Sequence, residues 1–506
     1  MNKLFYSDNL TIMRKMPPES VDLIYLDPPF NSNRSYNLLY RNTTGLPIPE
    51  QIEAFCDTWE LDYEKSEMAY DIPNIMQSYG IQIDVVQFWY YLVQALKHTN
   101  QKLLAYLVYM TIRLIEMHRI LKQTGSVYLH CDPTASHYLK IVMDSIFGHD
   151  NFRNEIVWCY KSRPQSKRYF GKKHDIILFY SKTNNYCFNW EAVARPMSET
   201  TIKKYRLSDA AGRKYRLQGR GITGSPIRSA KDVDQKWEKT NPELVIRDYL
   251  DEKIGVALED WWPIDIINQS SKERLGYPTQ KPMALLEIIV KASSKENDIV
   301  FDPFCGCGTT VEAAIKNHRQ WIGCDIAIHS IKLIQDTRIK KYGLKENEEY
   351  TIEGIPQSTE QAQYLFEQDP FQFQYWAVEK TGGFCSNRKT GDKGIDGRIY
   401  FETDKGLKSM VLSVKGGNIK PGDIRDLRGV LERENETELA GFICLKEPTK
   451  AMLQEADAAG FFEYQGVKYN RLQILSIQDI FGGKRWYCPS VVKTMRKDKG
   501  QTYLAL

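Results

Sequence analysis

Residues 21–26, VDLIYL, form an apolar run closed by Asp-Pro-Pro, which predicts a buried strand ending in a rigid turn. From about Ala54 to Leu121 the spacing of Leu, Tyr and Met is largely helical. GSVYLHCD (125–132) reads as a second buried strand, and YLKIVMDSIFG (138–148) as a helix closed by Gly148. EIVWCY (155–160) and HDIILFYSK (174–182) add two strands. A helix over about 283–293 precedes the strand DIVFDPF (298–304), CGCGTT opens another helix, and WIGCDI (321–326) is the next strand. Strands alternating with helices imply an α/β fold: an open parallel sheet with helices on both faces. Between about 184 and 274 the periodicity weakens. After the charged run KENEE, a mixed α/β segment begins near 346. The chain shows no internal repeat and no low-complexity tract.

At 506 residues the chain is expected to hold two to four domains of about 100–200 residues. We divide it into 1–345, with an insert at about 184–274, and 346–506. No apolar run approaches the ~18 residues of a membrane span, so no membrane association is expected. The N-terminus lacks the apolar core of a signal peptide. Ten cysteines without a paired CxxC point to neither a disulfide framework nor a structural zinc site, so a cytoplasmic chain with reduced thiols and no metal site is expected. The net charge is only +4, yet residues 151–240 carry 20 Lys and Arg against 8 Asp and Glu. That local excess of +12 suggests a footprint for a polyanion.

In DIVFDPFCGCGTT a strand runs through Asp302 into Gly306 and Gly308, and a helix starts at Thr309. Glycines let backbone approach a ligand closely, next to a helix N-terminus. Asp325, at the end of the following strand, suits a ribose diol. The loop lacks the full G-x-G-x-x-G and any G-K-[ST], which argues against hydride transfer and nucleoside triphosphate hydrolysis. Cys305 and Cys307 read as small loop residues, not nucleophiles. The aromatic run Phe88-Trp89-Tyr90-Tyr91 reads as core.

Asp27-Pro28-Pro29-Phe30, followed far downstream by Asp302-Pro303-Phe304-Cys305-Gly306-Cys307-Gly308-Thr309, resembles the β-class amino-methyltransferases of DNA, which carry these motifs in circularly permuted order. YSDNL, RILKQTGSVYLHCD, HDIILFYSK and YPTQKP extend the likeness over about 1–340. The resemblance implies a permuted Rossmann-like domain, S-adenosylmethionine as cofactor, and double-stranded DNA from which a base flips out. It implies catalytic roles for Asp27, Pro28, Pro29 and Phe30. Asp27 and the Pro28 carbonyl would accept the two N–H bonds of an exocyclic amine, and Phe30 would stack on the base. Cofactor contacts fall on Asp8 (adenine end), Lys281, Asp302, Phe304, Gly306, Gly308, Thr309 and Asp325 (ribose). His130 and Asp132 match a family pattern and are read as equally compatible with a structural role. The target-recognition region would occupy about 184–274, overlapping the basic block, with Arg213, Lys214, Arg216 and Arg220 as candidate DNA contacts. DPPF favours adenine N6 over cytosine N4.

GDKGIDGRIYF (391–401) and MVLSVKGG (410–417) resemble the catalytic core of Mrr-type PD-(D/E)XK nucleases. Asp396 and Lys415 match; Ser413 stands where Glu or Gln is expected, with Glu379 and Glu402 as substitutes to consider. Mg²⁺ is expected only if this region cleaves, and the serine favours a DNA-gripping module. The reading is thus a site-specific DNA methyltransferase acting on adenine N6. Cytosine N4 transfer and a fused restriction–modification enzyme remain the alternatives. The assembly considered is a homodimer, with the oligomeric state open. Truncation near 346 is expected to leave cofactor binding intact.

Overall fold

The computed structural model describes residues 2–28, 35–38, 52–56, 59–81, 83–161, 168, 170–220, 226–227, 233, 235–268, 270–275, 277, 279–385, 394–404, 406–434 and 436–489. A nine-stranded sheet organises the first two thirds. From one edge its strands are Trp261–Pro263, Phe152–Cys159, His174–Ser181, Leu121–Cys131, Val21–Leu26, Ile299–Asp302, Gln320–Asp325, Asn2–Tyr6 and Tyr350–Glu353. The central strands are apolar on both faces, as a sheet covered on both sides requires. Gln101–Ile120, the longest covering helix, buries most of its length against one face. Met283–Ser293 and Thr309–Lys316 pack on the other.

The sheet is mixed, not all parallel. His174–Ser181 runs antiparallel to both of its neighbours, Leu121–Cys131 and Phe152–Cys159. A parallel pair needs a crossover, usually a helix, whereas the link from 159 to 174 returns without a described helix. The expected helical stretch contains Tyr63–Ser78, Ile83–Thr99 and Gln101–Ile120, but Ile52–Cys56 at its start is a strand paired with Ser35–Leu38. Of the run 88–91 only Trp89 is core. Phe88, Tyr90 and Tyr91 face solvent, because four consecutive helical positions spread around the whole helix.

The sheet also takes its last strand from beyond residue 345: Tyr350–Glu353 pairs in parallel with Asn2–Tyr6. A division at 345/346 would therefore cut that strand from its sheet. The C-terminal region forms its own five-stranded sheet, ordered Phe384–Cys385, Gly397–Thr403, Gly406–Lys415, Thr437–Cys444 and Leu472–Ser476. One apolar cluster runs without a break from Leu4, Trp321 and Ile331 to Phe373, Trp376, Val414 and Ile443. The two sheets thus share a core. Among the described residues no helix is long and apolar enough to cross a membrane.

Candidate active site

Three parallel strands end side by side: Val21–Leu26 beside Ile299–Asp302, and Ile299–Asp302 beside Gln320–Asp325. Their C-terminal edge brings Asp27, Asp302 and Asp325 to one cleft of roughly 810 Å³, open mouth included. Clefts at this edge of α/β sheets hold ligands because strand ends and helix starts leave polar backbone groups there. Lys281, Phe304, Gly306 and Thr309 line it too, so six of the eight expected cofactor residues meet in one place.

The Gly-rich loop is a left-handed turn into the helix Thr309–Lys316. Gly306 has φ of 48° and Gly308 φ of 74°, a region that side chains disfavour. A Cβ on Gly308 would stand 2.6 Å from Cγ1 of Ile334, against the facing helix. Gly308→Ala should therefore destabilise the fold by about 1–3 kcal/mol, which urea unfolding reads directly. Two carboxylates brace the loop. Asp302 Oδ1 accepts the Phe304 N–H at 3.0 Å, and Asp325 Oδ2 accepts the Gly306 N–H at 2.9 Å. Asp325 Oδ1 also accepts the Ala327 N–H at 2.9 Å.

Burial pushes the Asp302 carboxyl up to about 7, against hydrogen bonds from the Thr310 hydroxyl and the Phe304 N–H; Asp27 and Asp325 push the same way as burial. Burial likewise pushes Asp325 up to about 6, against hydrogen bonds from Ala327 and Gly306. Both are poised to become fully charged when a cation arrives. The thiols of Cys305 and Cys307 are buried and pushed up, first of all by that burial, which makes them wall and not nucleophiles.

Asp27 stands just past its strand, with one carboxylate oxygen, Oδ2, paired to Lys281. The other, Oδ1, is buried and has no hydrogen-bond partner among the described residues. A buried acceptor without a donor is costly, and such an atom on a cleft wall is a place for a ligand N–H. The cleft residue Tyr25 opens a second network: its Oη is 2.9 Å from His130 Nδ1, and His130 Nε2 is 3.3 Å from Asp175 Oδ2. Against burial, hydrogen bonding to His130 and the charges of His130 and Lys281 hold Asp175 below the usual carboxylate range. Lys281 thus pairs with Asp27 and also acts through its charge on Asp175. His130 is wholly buried inside this network, and Asp132 starts the following turn, accepting from the N–H groups of Thr134 and Ala135. Pro28 is buried next to Asp27; Pro29 and Phe30 lie outside the described residues.

Asp8, expected at the adenine end, is not among the residues that line the cleft. It caps the helix Asn9–Lys15 through the N–H of Leu10, at 2.9 Å, and pairs with Arg113 at 2.6 Å. Arg113 also donates to Asn9 Oδ1 at 2.6 Å, and Asn9 Nδ2 donates to the Pro303 carbonyl at 2.8 Å. Asp8 thus supports the cleft through Arg113 and Asn9, while Ser7 and Asn9 form the wall itself. Arg338 supports the loop from the other side, donating from Nε to the Cys307 carbonyl at 3.1 Å and pairing with Glu312. None of Asn9, Arg113 and Arg338 stood out in the sequence, because their partners lie 26 to 294 residues away or on bare backbone.

The basic insert is less basic than its sequence window. Strand Lys214–Arg220 pairs with Val245–Tyr249, which brings acids from just beyond residue 240 against it. Arg213 is held by Asp251, at 2.7 and 2.9 Å, and by Glu252 at 2.7 Å; Arg216 donates to Asp248 at 2.8 Å. Lys214 is exposed, and the Arg220 side chain lies outside the described residues. In the C-terminal sheet, Asp396 Oδ2 accepts the Val414 N–H at 2.7 Å, Ser413 is buried, and Lys415 is exposed at the strand end. Glu402 sits at the far end of the Gly397–Thr403 strand from Asp396, some ~20 Å away at the usual rise, and cannot replace the missing carboxylate. Glu379 accepts the Ile328 N–H instead. No group of three or more metal-ligating side chains occurs among the described residues.

A family model for DNA methylases of the N6/N4 type matches residues 21–336. The type II methyltransferase M.EcaI of Enterobacter cloacae is 32% identical over 261 residues, covering 46% of this chain and 56% of its own. The chain thus spans little more than half of M.EcaI. The DNA adenine methyltransferase YhdJ of Escherichia coli K12 is 26% identical over 335 residues, 65% of this chain and 80% of its own. The solved structure of the PvuII DNA methyltransferase, cytosine-N4-specific, overlays with a TM-score of 0.37 at 14% identity, covering 68% of this chain and 90% of that one. With three aspartates converging on a glycine-built cleft and the family pattern spanning the strands that carry them, this chain belongs to the DNA methylase family.

Proposed function

We propose that the cleft binds S-adenosylmethionine and that the chain transfers its methyl group to the exocyclic amine of a flipped base in double-stranded DNA, with adenine N6 as the target. The observation that carries this reading is the pairing of a buried Asp27 Oδ1, without a hydrogen-bond partner among the described residues, with a glycine-built turn and two further carboxylates on the same wall. A sulfonium ligand is cationic, and three carboxylates against one lysine give the wall a net negative charge that suits it. Gly306 supplies a left-handed turn on the cleft wall with its N–H tied to Asp325, and Gly308 lets the loop pack against Ile334. When bound, S-adenosylmethionine supplies an electrophilic methyl carbon.

The residues of this chain supply the rest. Asp27 Oδ1 accepts one N–H of the target amine and draws its lone pair out of the ring. The Pro28 carbonyl takes the second N–H, and Asp27 receives the proton released when the new N–C bond forms. Lys281 holds the Asp27 carboxylate in place through its Oδ2. The DPPF motif and the likeness to YhdJ support adenine; the alternative is cytosine N4.

Region 184–274 then serves as the DNA-recognition insert, with Lys214 the exposed candidate for phosphate contact and Arg213 and Arg216 acting within the fold. The C-terminal sheet, nuclease-like in sequence, is read as a DNA-gripping module. Cuts in unmethylated DNA incubated with Mg²⁺, lost in Lys415→Ala, would instead make it a fused restriction–modification enzyme.

The test is transfer of labelled methyl from S-adenosylmethionine to unmethylated duplex DNA. Label is expected in the DNA; a chain that binds the cofactor and leaves DNA unlabelled contradicts the reading. A pH series adds a second check. The raised Asp302 and Asp325 carboxyls must ionise to hold a cation, so cofactor affinity is full above about 7 and falls as pH drops through about 7 and about 6. Calorimetry should show the Kd rising about tenfold from pH 8 to pH 6.

A further inference from the structure

The loop Ile326–Ala327, between the strand Gln320–Asp325 and the helix Ile328–Ile334, forms one wall of the cleft: both Asp325 and Ile326 line it. Locally, Asp325 Oδ1 accepts the Ala327 N–H, whereas the Ile326 carbonyl and the Ile328 N–H are met from elsewhere in the chain. Ala327 stands at the N-cap of the helix and has no side-chain acceptor to offer. The acceptor comes from 51 residues further on, where Glu379 Oε2 takes the Ile328 N–H at 3.2 Å. On the other side, Gln372 Nε2 donates to the Ile326 carbonyl at 3.1 Å. Gln372 and Glu379 are seven positions apart on the helix Pro370–Lys380, two turns along one face.

That helix is rooted in the C-terminal sheet. Its Asp369 cap accepts the Gln372 N–H at 2.9 Å. Val378 packs so closely on the sheet that a Cβ on Gly397 would stand 2.6 Å from it. Phe373, Trp376 and Ala377 continue the apolar cluster that includes Ile328 and Ile331. The Ile328 N–H and the Ile326 carbonyl beside the cleft are therefore both held by one helix packed on the other sheet, while Asp325 holds the Ala327 N–H between them.

We infer that Gln372 and Glu379 are positioning residues of the methyl-donor site, so that the C-terminal region completes the cofactor pocket and is no independent attachment. This rests on reading the cleft as the S-adenosylmethionine site. Burial pushes the Glu379 carboxyl up to about 8, so near neutral pH it is largely an uncharged acceptor, and glutamine is its closest replacement.

The experiment uses the full chain and reads the calorimetric Kd for S-adenosylmethionine beside steady-state constants. Gln372→Ala and Glu379→Ala should each raise the Kd and the KM for S-adenosylmethionine about fivefold, and more together, the effect of losing one net hydrogen bond. The kcat at saturating cofactor and the KM for DNA should stay within about twofold. Glu379→Gln, which keeps an acceptor, should bind within about twofold of the unsubstituted chain, and Gln372→Met, which keeps bulk without the donor, should match Gln372→Ala. The latter two substitutions preserve packing and decide the matter if the alanine variants fold poorly. An unchanged Kd in Gln372→Met, or a Glu379→Gln as impaired as Glu379→Ala, overturns the inference alone. No binding by the unsubstituted chain overturns the cofactor reading and the inference with it.

Discussion

Asp27→Ala is expected to abolish methyl transfer, by about 10²–10³-fold or more, while the Kd for S-adenosylmethionine stays within about threefold. The asymmetry follows from geometry. Asp27 lines the cleft, and its Oδ1 has no hydrogen-bond partner among the described residues, so its removal takes no hydrogen bond from the Gly-rich loop proposed to cradle the cofactor. That loop is braced by Asp302 and Asp325. The obvious objection is that Lys281 loses its counter-ion, since breaking a buried pair costs about 3–5 kcal/mol. The charge of Asp175, whose carboxyl already responds to Lys281, offsets part of that loss, and urea unfolding of the variant checks that it folds. Asp27→Asn keeps the size and replaces one acceptor by a donor that repels the amine N–H, and it should be equally inactive. Single-turnover transfer beside calorimetry checks both; near-normal transfer by either would remove Asp27 from the chemistry.

Asp325→Ala is expected to weaken S-adenosylmethionine binding by about 1–3 kcal/mol, or roughly 5- to 150-fold. Two losses combine. The variant loses the proposed ribose contact, and it also releases the N–H groups of Gly306 and Ala327, which the carboxylate now ties together. Asp325→Asn separates them. Its carbonyl can still accept one of the two N–H groups, so it should retain part of the affinity. Because the effect is on binding, KM for the cofactor rises and kcat at saturation changes little. An unchanged Kd in Asp325→Ala would mean that the ribose is held elsewhere.

The central strands, the Gly-rich loop and Asp27, Asp302 and Asp325 could be read from the chain because each depends on local pattern: apolar runs, Pro-Pro, glycines before a helix. What escaped depends on pairing between distant segments. His174–Ser181 has the composition of any buried strand, and nothing in it signals its antiparallel direction. Tyr350–Glu353 is a short edge strand following a charged run and looks like the start of the next region. The charge count over 151–240 stopped short of Asp248, Asp251 and Glu252, which a β-ladder folds back onto Arg213 and Arg216. Arg338, Gln372 and Glu379 act on backbone carbonyls and N–H groups, which any residue possesses. No pattern of residue types marks such a contact.

The most direct test of the Asp27-centred cleft is the chemical position of the transferred methyl. Duplex DNA labelled by the purified chain is digested to nucleosides and resolved by mass spectrometry. The account predicts label on an exocyclic amine, as N6-methyladenine. Label on cytosine C5 would contradict it, because that reaction needs a cysteine nucleophile where this chain has Asp27-Pro28-Pro29-Phe30.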